Sequence, residues 1–138
     1  MTLNLLENKK IVTAPDNDYS RSFKILLVDF EWPEIQDLAE AINKISSPVT
    51  VFLYGSNDKD PEWCIKQAKN CHSVLINMRH KGNIEILKGF LLGETNVYTY
   101  GNYNLEELFQ RKVLDTMSWL AIQYQYYIEA HNVETKHS

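Results

Sequence analysis

The chain has 138 residues, 44% of them hydrophobic and 23% charged, which suits one globular domain with a real core. Fourteen basic against eighteen acidic side chains leave a net charge of −4, the wrong sign for a surface that neutralises phosphates, so nucleic acid is disfavoured as a partner. No apolar run approaches the roughly 18 residues of a membrane helix, so no membrane partner is expected.

Residues 1–22 are polar and weakly periodic. They read as a partly flexible N-terminal arm, with one short strand around Ile11, Val12 and Thr13. A single α/β domain follows over 23–130, and 131–138 reads as a flexible tail. "FKILLVDF" (23–30) is a continuous apolar run rich in branched residues, the pattern of a strand buried on both faces of a parallel sheet. Trp32-Pro33-Glu34 then starts a helix, with Pro33 in the first turn, where its missing N–H is harmless. Ile35, Leu38, Ala39, Ile42 and Ile45 recur at helical spacing and form its apolar stripe. "VTVFLYG" (49–55) is the second strand. Asp60 is the expected N-cap and Pro61 the first position of the next helix, with Trp63, Cys64, Ile65, Ala68 and Cys71 on its buried side.

"SVLINM" (73–78) reads as the third strand, "GNIEILKGFLLGE" (82–94) as the third helix and "NVYTYG" (96–101) as the fourth strand. Asn104 and Glu107 have the spacing of a capping box, which predicts a last helix over 105–130. Phe109, Val113, Met117, Leu120, Tyr124 and Tyr127 form one seam along it. Such a helix would be roughly 39 Å long, more than a four-stranded sheet can cover. Its aromatic distal part, with Trp119, Tyr124, Tyr126 and Tyr127, is therefore expected either to pack on the arm or to make a homodimer interface, with Trp119, Tyr124 and Tyr127 as the interface residues, since aromatics are enriched there.

Strands alternating with helices predict a three-layer Rossmann- or flavodoxin-like fold. About four parallel strands run in the order 2-1-3-4, with helices on both faces and the strand at 49–55 on the edge. In such sheets ligands bind at the carboxyl ends of the strands, near the reversal in strand order. That rule selects Asp29, then Gly55, Ser56, Asn57 and Asp58, then Asn77 and Arg79, then Asn102, with Asp29 and Asn77 facing each other across the central crevice. Each also has an ordinary reading: Asp29 as a helix cap, 56–58 as turn chemistry, Arg79 as a solvated cation.

Cys64 and Cys71, seven positions apart on one helix, would stand roughly 10 Å apart, too far for a disulfide. A reduced, cytoplasmic setting is expected. Cys64, Cys71 and His72 match no common zinc spacing, so neither a metal nor a cofactor is expected. The chain carries no GxGxxG, GxxxxGK[ST] or GxSxG pattern, and its four histidines are scattered.

Two resemblances bear on function. "KILLVDF", "SVLINM" and "YNLEELFQRKV" resemble the first strand, third strand and final helix of bacterial receiver domains, but Asn77 stands where receivers carry the phosphorylated aspartate. That likeness implies a shortened, non-phosphorylated relative. The rhythm of "DPEWCIKQAKNCHSVLINM", "NIEILKGFLLGETNVYTYG" resembles the nucleoside 2-deoxyribosyltransferase-like group and its TIR-like relatives over residues 23–101. This second likeness implies a nucleoside or nucleotide ligand and casts Glu85 as a nucleophile for N-glycosyl chemistry. The reading preferred from the sequence is a non-catalytic interaction or nucleotide-binding module that self-associates through its last helix. An N-glycosidase or deoxyribosyltransferase-like enzyme is the alternative.

Overall fold

The computed structural model describes residues 4–6, 10–12, 22–45, 47–55, 60–78, 96–101, 112–113 and 115–136. Strand β3 (Phe23–Val28) lies at the centre of a seven-stranded sheet. Its alternate side chains divide between two cores. Phe23, Ile25 and Leu27 meet Ile35, Leu38 and Ile42 of helix α1 (Trp32–Asn43). Leu26 and Val28 meet Cys64 and Ala68 of helix α2 (Pro61–Lys69). The unbroken apolar run from Ile25 to Val28 is what a strand covered on both faces requires, while Lys24 near its start is only half-buried.

Strand β4 (Val49–Tyr54) pairs with β3 on one side and β5 (Ser73–Asn77) on the other, both parallel to it. β6 (Val97–Tyr100) pairs parallel with β5. These are the four strands expected from the sequence, in the expected 2-1-3-4 order. The sheet extends beyond them. β1 (Asn4–Leu6) and β2 (Lys10–Val12) form an antiparallel pair, and β2 runs antiparallel to β4. β4 is therefore an inner strand, not the edge. The short strand expected near Ile11 is β2, and it covers the backbone groups that β4 would otherwise leave open. On the far side, β7 (Lys112–Val113) adds in parallel to β6.

The last helix, α3 (Thr116–Lys136), begins later than a start at 105. Val113 belongs to β7 instead of a helical seam. Asn104, Glu107 and Phe109 lie outside the described residues. The start at Thr116 has a local cause. Asp115 Oδ1 accepts from the Met117 N–H at 3.1 Å, and Oδ2 accepts from Ser118 Oγ at 2.6 Å. These bonds hold the Asp115 carboxyl below its usual range, the Ser118 hydroxyl contributing most. α3 continues to Lys136, past the residue 130 expected as its end. It lies on the α1 side of the sheet, burying Trp119 and Leu120 in the same core. The third helix expected over 82–94 lies outside the described residues.

Leu27 is fully buried in the core between the sheet, α1 and α3. Leu27→Ala is expected to cost about 3 kcal/mol in urea unfolding, from lost transfer energy and a residual cavity. Ile122→Ala, at a half-exposed position of α3, is expected to change stability by no more than about 0.5 kcal/mol.

Candidate functional site

β4 and β5 lie on opposite sides of β3, so the carboxyl ends of β3 and β5 flank the point where strand order reverses. The register pairs Val28 with Ile76, which brings Asp29 and Asn77 to the next level. Both are buried. Asp29 takes a φ of +64°, and its N–H donates to the Tyr54 carbonyl at 2.6 Å. Aspartate is one of the few side chains that accept this left-handed conformation. The turn lets the chain leave the sheet at once and enter α1.

Asp29 does not cap that helix. Glu31 does. The Glu31 N–H donates to Glu34 Oε1 at 3.0 Å, while the Glu31 side chain returns to the third helical position. This is a capping box built from two glutamates. The other Glu34 oxygen, Oε2, accepts from Asn77 Nδ2 at 3.2 Å. One carboxylate thus joins the start of α1 to the end of β5. It also fixes the Asn77 amide, because only the NH2 side can face a carboxylate.

Gly101 closes the far side of Asn77. Its φ is +114°, a conformation that side chains rarely adopt. A Cβ there would stand 3.5 Å from Asn77 Oδ1 and 3.6 Å from the Met78 nitrogen, ordinary contact distances, so backbone conformation and not space demands glycine. The Met78 N–H donates to the Tyr100 carbonyl at 2.8 Å. The half-buried rings of Phe30 and Tyr100 stack at 5.9 Å and 23°, forming an aromatic wall beside the polar groups. Asp29, Glu31 and Glu34 place three carboxylates within six residues of the chain around the start of α1, and carboxylates accept hydrogen bonds from hydroxyl and amino donors. An anion at the start of α1 would meet those same carboxylates.

On the β4 side, Gly55 is half-buried at the strand end. Ser56, Asn57 and Asp58 lie outside the described residues, but the far end of their loop is anchored. The Asp60 N–H donates to the Tyr54 hydroxyl at 2.9 Å, and Asp60 Oδ1 caps α2 by accepting from the Trp63 N–H at 3.1 Å. The Tyr54 and Trp63 rings stack at 6.0 Å. Arg79, Glu85 and Asn102 lie outside the described residues. Of the ligand-binding residues expected from the sequence, the structure therefore brings Asp29 and Asn77 together and sets Gly55 one strand away. Glu34, Phe30, Tyr100 and Gly101 complete the arrangement. The signal for Glu34 was the Glu31-to-Glu34 spacing at a helix start.

The expected interface residues take other places. Trp119 is 3% exposed and meets Tyr98 edge-on at 6.4 Å. Tyr124 and Tyr127 pack on Phe23 at 5.6 and 5.3 Å, and the Tyr124 hydroxyl bonds Ser47 Oγ at 2.9 Å. All three face their own sheet. Among the described side chains of α3, the large apolar ones that face outward are Met117 (44% exposed), Ile122 (50%) and Tyr126 (55%). Met117 thus leaves the expected buried seam. α3 rotates to bury Trp119 and Gln123 beside Leu120.

Cys64 and Cys71 are free thiols. Burial pushes the Cys71 thiol up to about 12, so it is no nucleophile at neutral pH. Among the described residues, no group of three or more His, Cys, Asp or Glu side chains is placed to hold a metal ion, and no helix is long and apolar enough to cross a membrane. Compared with protein-family models, curated proteins and solved structures, the chain finds no match.

Gly101→Ala is expected to lower unfolding stability by about 1–3 kcal/mol, the cost of holding a side chain at this φ. Chemical denaturation measures it. An unchanged midpoint would mean that residue 101 relaxes to negative φ without disturbing Asn77.

Proposed function

We propose that the chain is a non-catalytic, Rossmann-like binding module. It holds a nucleoside or nucleotide at the crevice between the ends of β3 and β5, and it self-associates through α3. The observation that carries this reading is the double engagement of Glu34. One oxygen accepts from the Glu31 N–H and the other from the Asn77 amide. A carboxylate that performs chemistry has to meet the substrate, whereas this one is committed to shaping the site. Such a crevice suits holding a ligand more than transforming it.

The ligand class follows from the groups around it and from the likeness to nucleoside-handling domains. Asp29 accepts sugar hydroxyls. Phe30 and Tyr100 offer an aromatic face for a base. The sugar, not the phosphate, lies at the start of α1, where Asp29, Glu31 and Glu34 cluster. Self-association draws on the outward residues Met117, Ile122 and Tyr126. Ile122 and Tyr126 are four positions apart and so neighbours on the helix surface.

Thermal unfolding against a panel of nucleosides, nucleotides and NAD, with free base followed by chromatography, tests the ligand. The expected result is a raised midpoint with at least one member, equivalent to about 2.7 kcal/mol at a hundredfold excess over Kd. No base should be released, and Asp29→Ala should abolish the shift. No shift with any member would sink the ligand reading. Base release that Glu85→Gln abolishes would replace it with N-glycosyl chemistry. Light scattering after size exclusion should give a dimer that Tyr126→Glu dissociates. A monomeric wild-type chain at high concentration would remove the self-association.

A further inference from the structure

His72 lies at the opposite, amino edge of the sheet, just before β5. Its backbone N–H donates to the Lys24 carbonyl at 2.8 Å, and its ring Nδ1 accepts the Lys24 N–H at 3.0 Å. The regular β3–β5 pairing begins one residue later, at Ile25 with Ser73. The imidazole lone pair thus stands where a strand carbonyl would otherwise receive the Lys24 N–H.

The same ring supports α3. It meets Tyr127 edge-on at 4.8 Å and Phe23 at 5.9 Å. Phe23 in turn carries Tyr124 and Tyr127. Phe23 opens β3, so Tyr127 marks where α3 reaches the amino edge of the sheet. The helix then runs on to Lys136, about 14 Å further. One imidazole therefore joins β3, the approach to β5 and the Tyr127 turn of α3.

Nδ1 accepts a hydrogen bond only while it is bare, which leaves the ring proton on Nε2. A second proton has to go to Nδ1. The charged ring cannot accept from Lys24, because N–H would then face N–H. The titratable groups around the ring come from three elements. From β3 comes the Lys24 ammonium, whose Nζ donates to the Ser22 carbonyl at 3.4 Å. From α3 come the phenols of Tyr124 and Tyr127, the latter held above its ordinary value by burial. Cys71, next in sequence, has a thiol pushed up to about 12. The Tyr127 phenol and the Cys71 thiol, both pushed upward by burial, stay neutral between pH 5 and 8, the range in which imidazoles titrate.

We propose that His72 is a pH-sensitive latch. Neutral, it ties the start of β3 to the approach of β5 and braces Tyr127. Protonated, it releases Lys24 and loosens the distal turns of α3. The test is NMR of the uniformly nitrogen-15-labelled full chain between pH 8 and 5. At pH 7.5 the His72 ring should carry its proton on Nε2. The Lys24 amide should titrate with the same midpoint as the ring, and its hydrogen-exchange protection factor should fall at least tenfold by pH 5. His72→Asn keeps an acceptor that does not titrate, so it should hold its protection at both pH values. His72→Phe keeps a ring without an acceptor and should lack protection at both. A proton on Nδ1 at pH 7.5 would overturn the proposal. So would a Lys24 amide that stays protected at pH 5, or an equal fall in His72→Asn. The wild-type titration decides the matter even if a variant fails to fold.

Discussion

β3 is enclosed on four sides. α1 and α3 cover one face, α2 covers the other, and β4 and β5 take up its backbone groups on either flank. Its side chains from Ile25 to Val28 are fully inaccessible to water. A backbone this deeply placed has to pair all its N–H and C=O groups within the protein, and only two parallel neighbours in register do so here. The rest of the described architecture follows from that demand. The two chain crossovers leave β3 and β5 with adjacent carboxyl ends, and the crevice between them is where order in the sheet reverses. The sharp exit at Asp29, with its positive φ, is the price of ending a buried strand directly beneath a helix start.

Glu34 then couples the layers. Its two oxygens receive one hydrogen bond from its own helix cap and one from Asn77 at the end of β5. Hydrogen bonds to a carboxylate are the stronger kind, and these two orient α1 over the strand ends. The end of β5 is thereby tied to the start of α1. Gly101, with its positive φ, lies on the Oδ1 side of Asn77. At the opposite edge of the sheet, His72 performs a comparable joining task with an imidazole lone pair. The two ends differ in kind: carboxylates and a stacked aromatic pair at one, an imidazole against Tyr127 of α3 at the other.

Much of this was legible in the residues. "FKILLVDF" announces a doubly buried strand because four apolar residues run unbroken from Ile25 to Val28, and its central place in the 2-1-3-4 order follows from alternation of strands and helices. Asp60 and Pro61 mark the start of α2 for reasons local to the backbone, and Asp29 and Asn77 come together because register carries them there. Other features depended on tertiary context. β7 is two residues long, too short to leave a periodic trace, so the apolar spacing through Val113 merged with that of α3 into one apparent helix. The face of α3 was ambiguous because aromatic and aliphatic residues surround it. Burying Trp119 and Gln123 turned Met117 outward. β2 pairs on β4 through contacts distant in sequence, which local propensity does not reveal. Glu34 looked like an ordinary first-turn acid, and its bond to Asn77, 43 residues away, is invisible until the sheet assembles.

Native-state hydrogen exchange tests most directly the claim that β3 is the pillar of the molecule. The amides of Ile25 to Val28 should exchange only through global unfolding, with a free energy equal to that measured by denaturant. Those of β1 and β2 should open at lower free energy, and β4 and β5 should fall between. Faster exchange in β3 than in β4 or β5 would contradict the account.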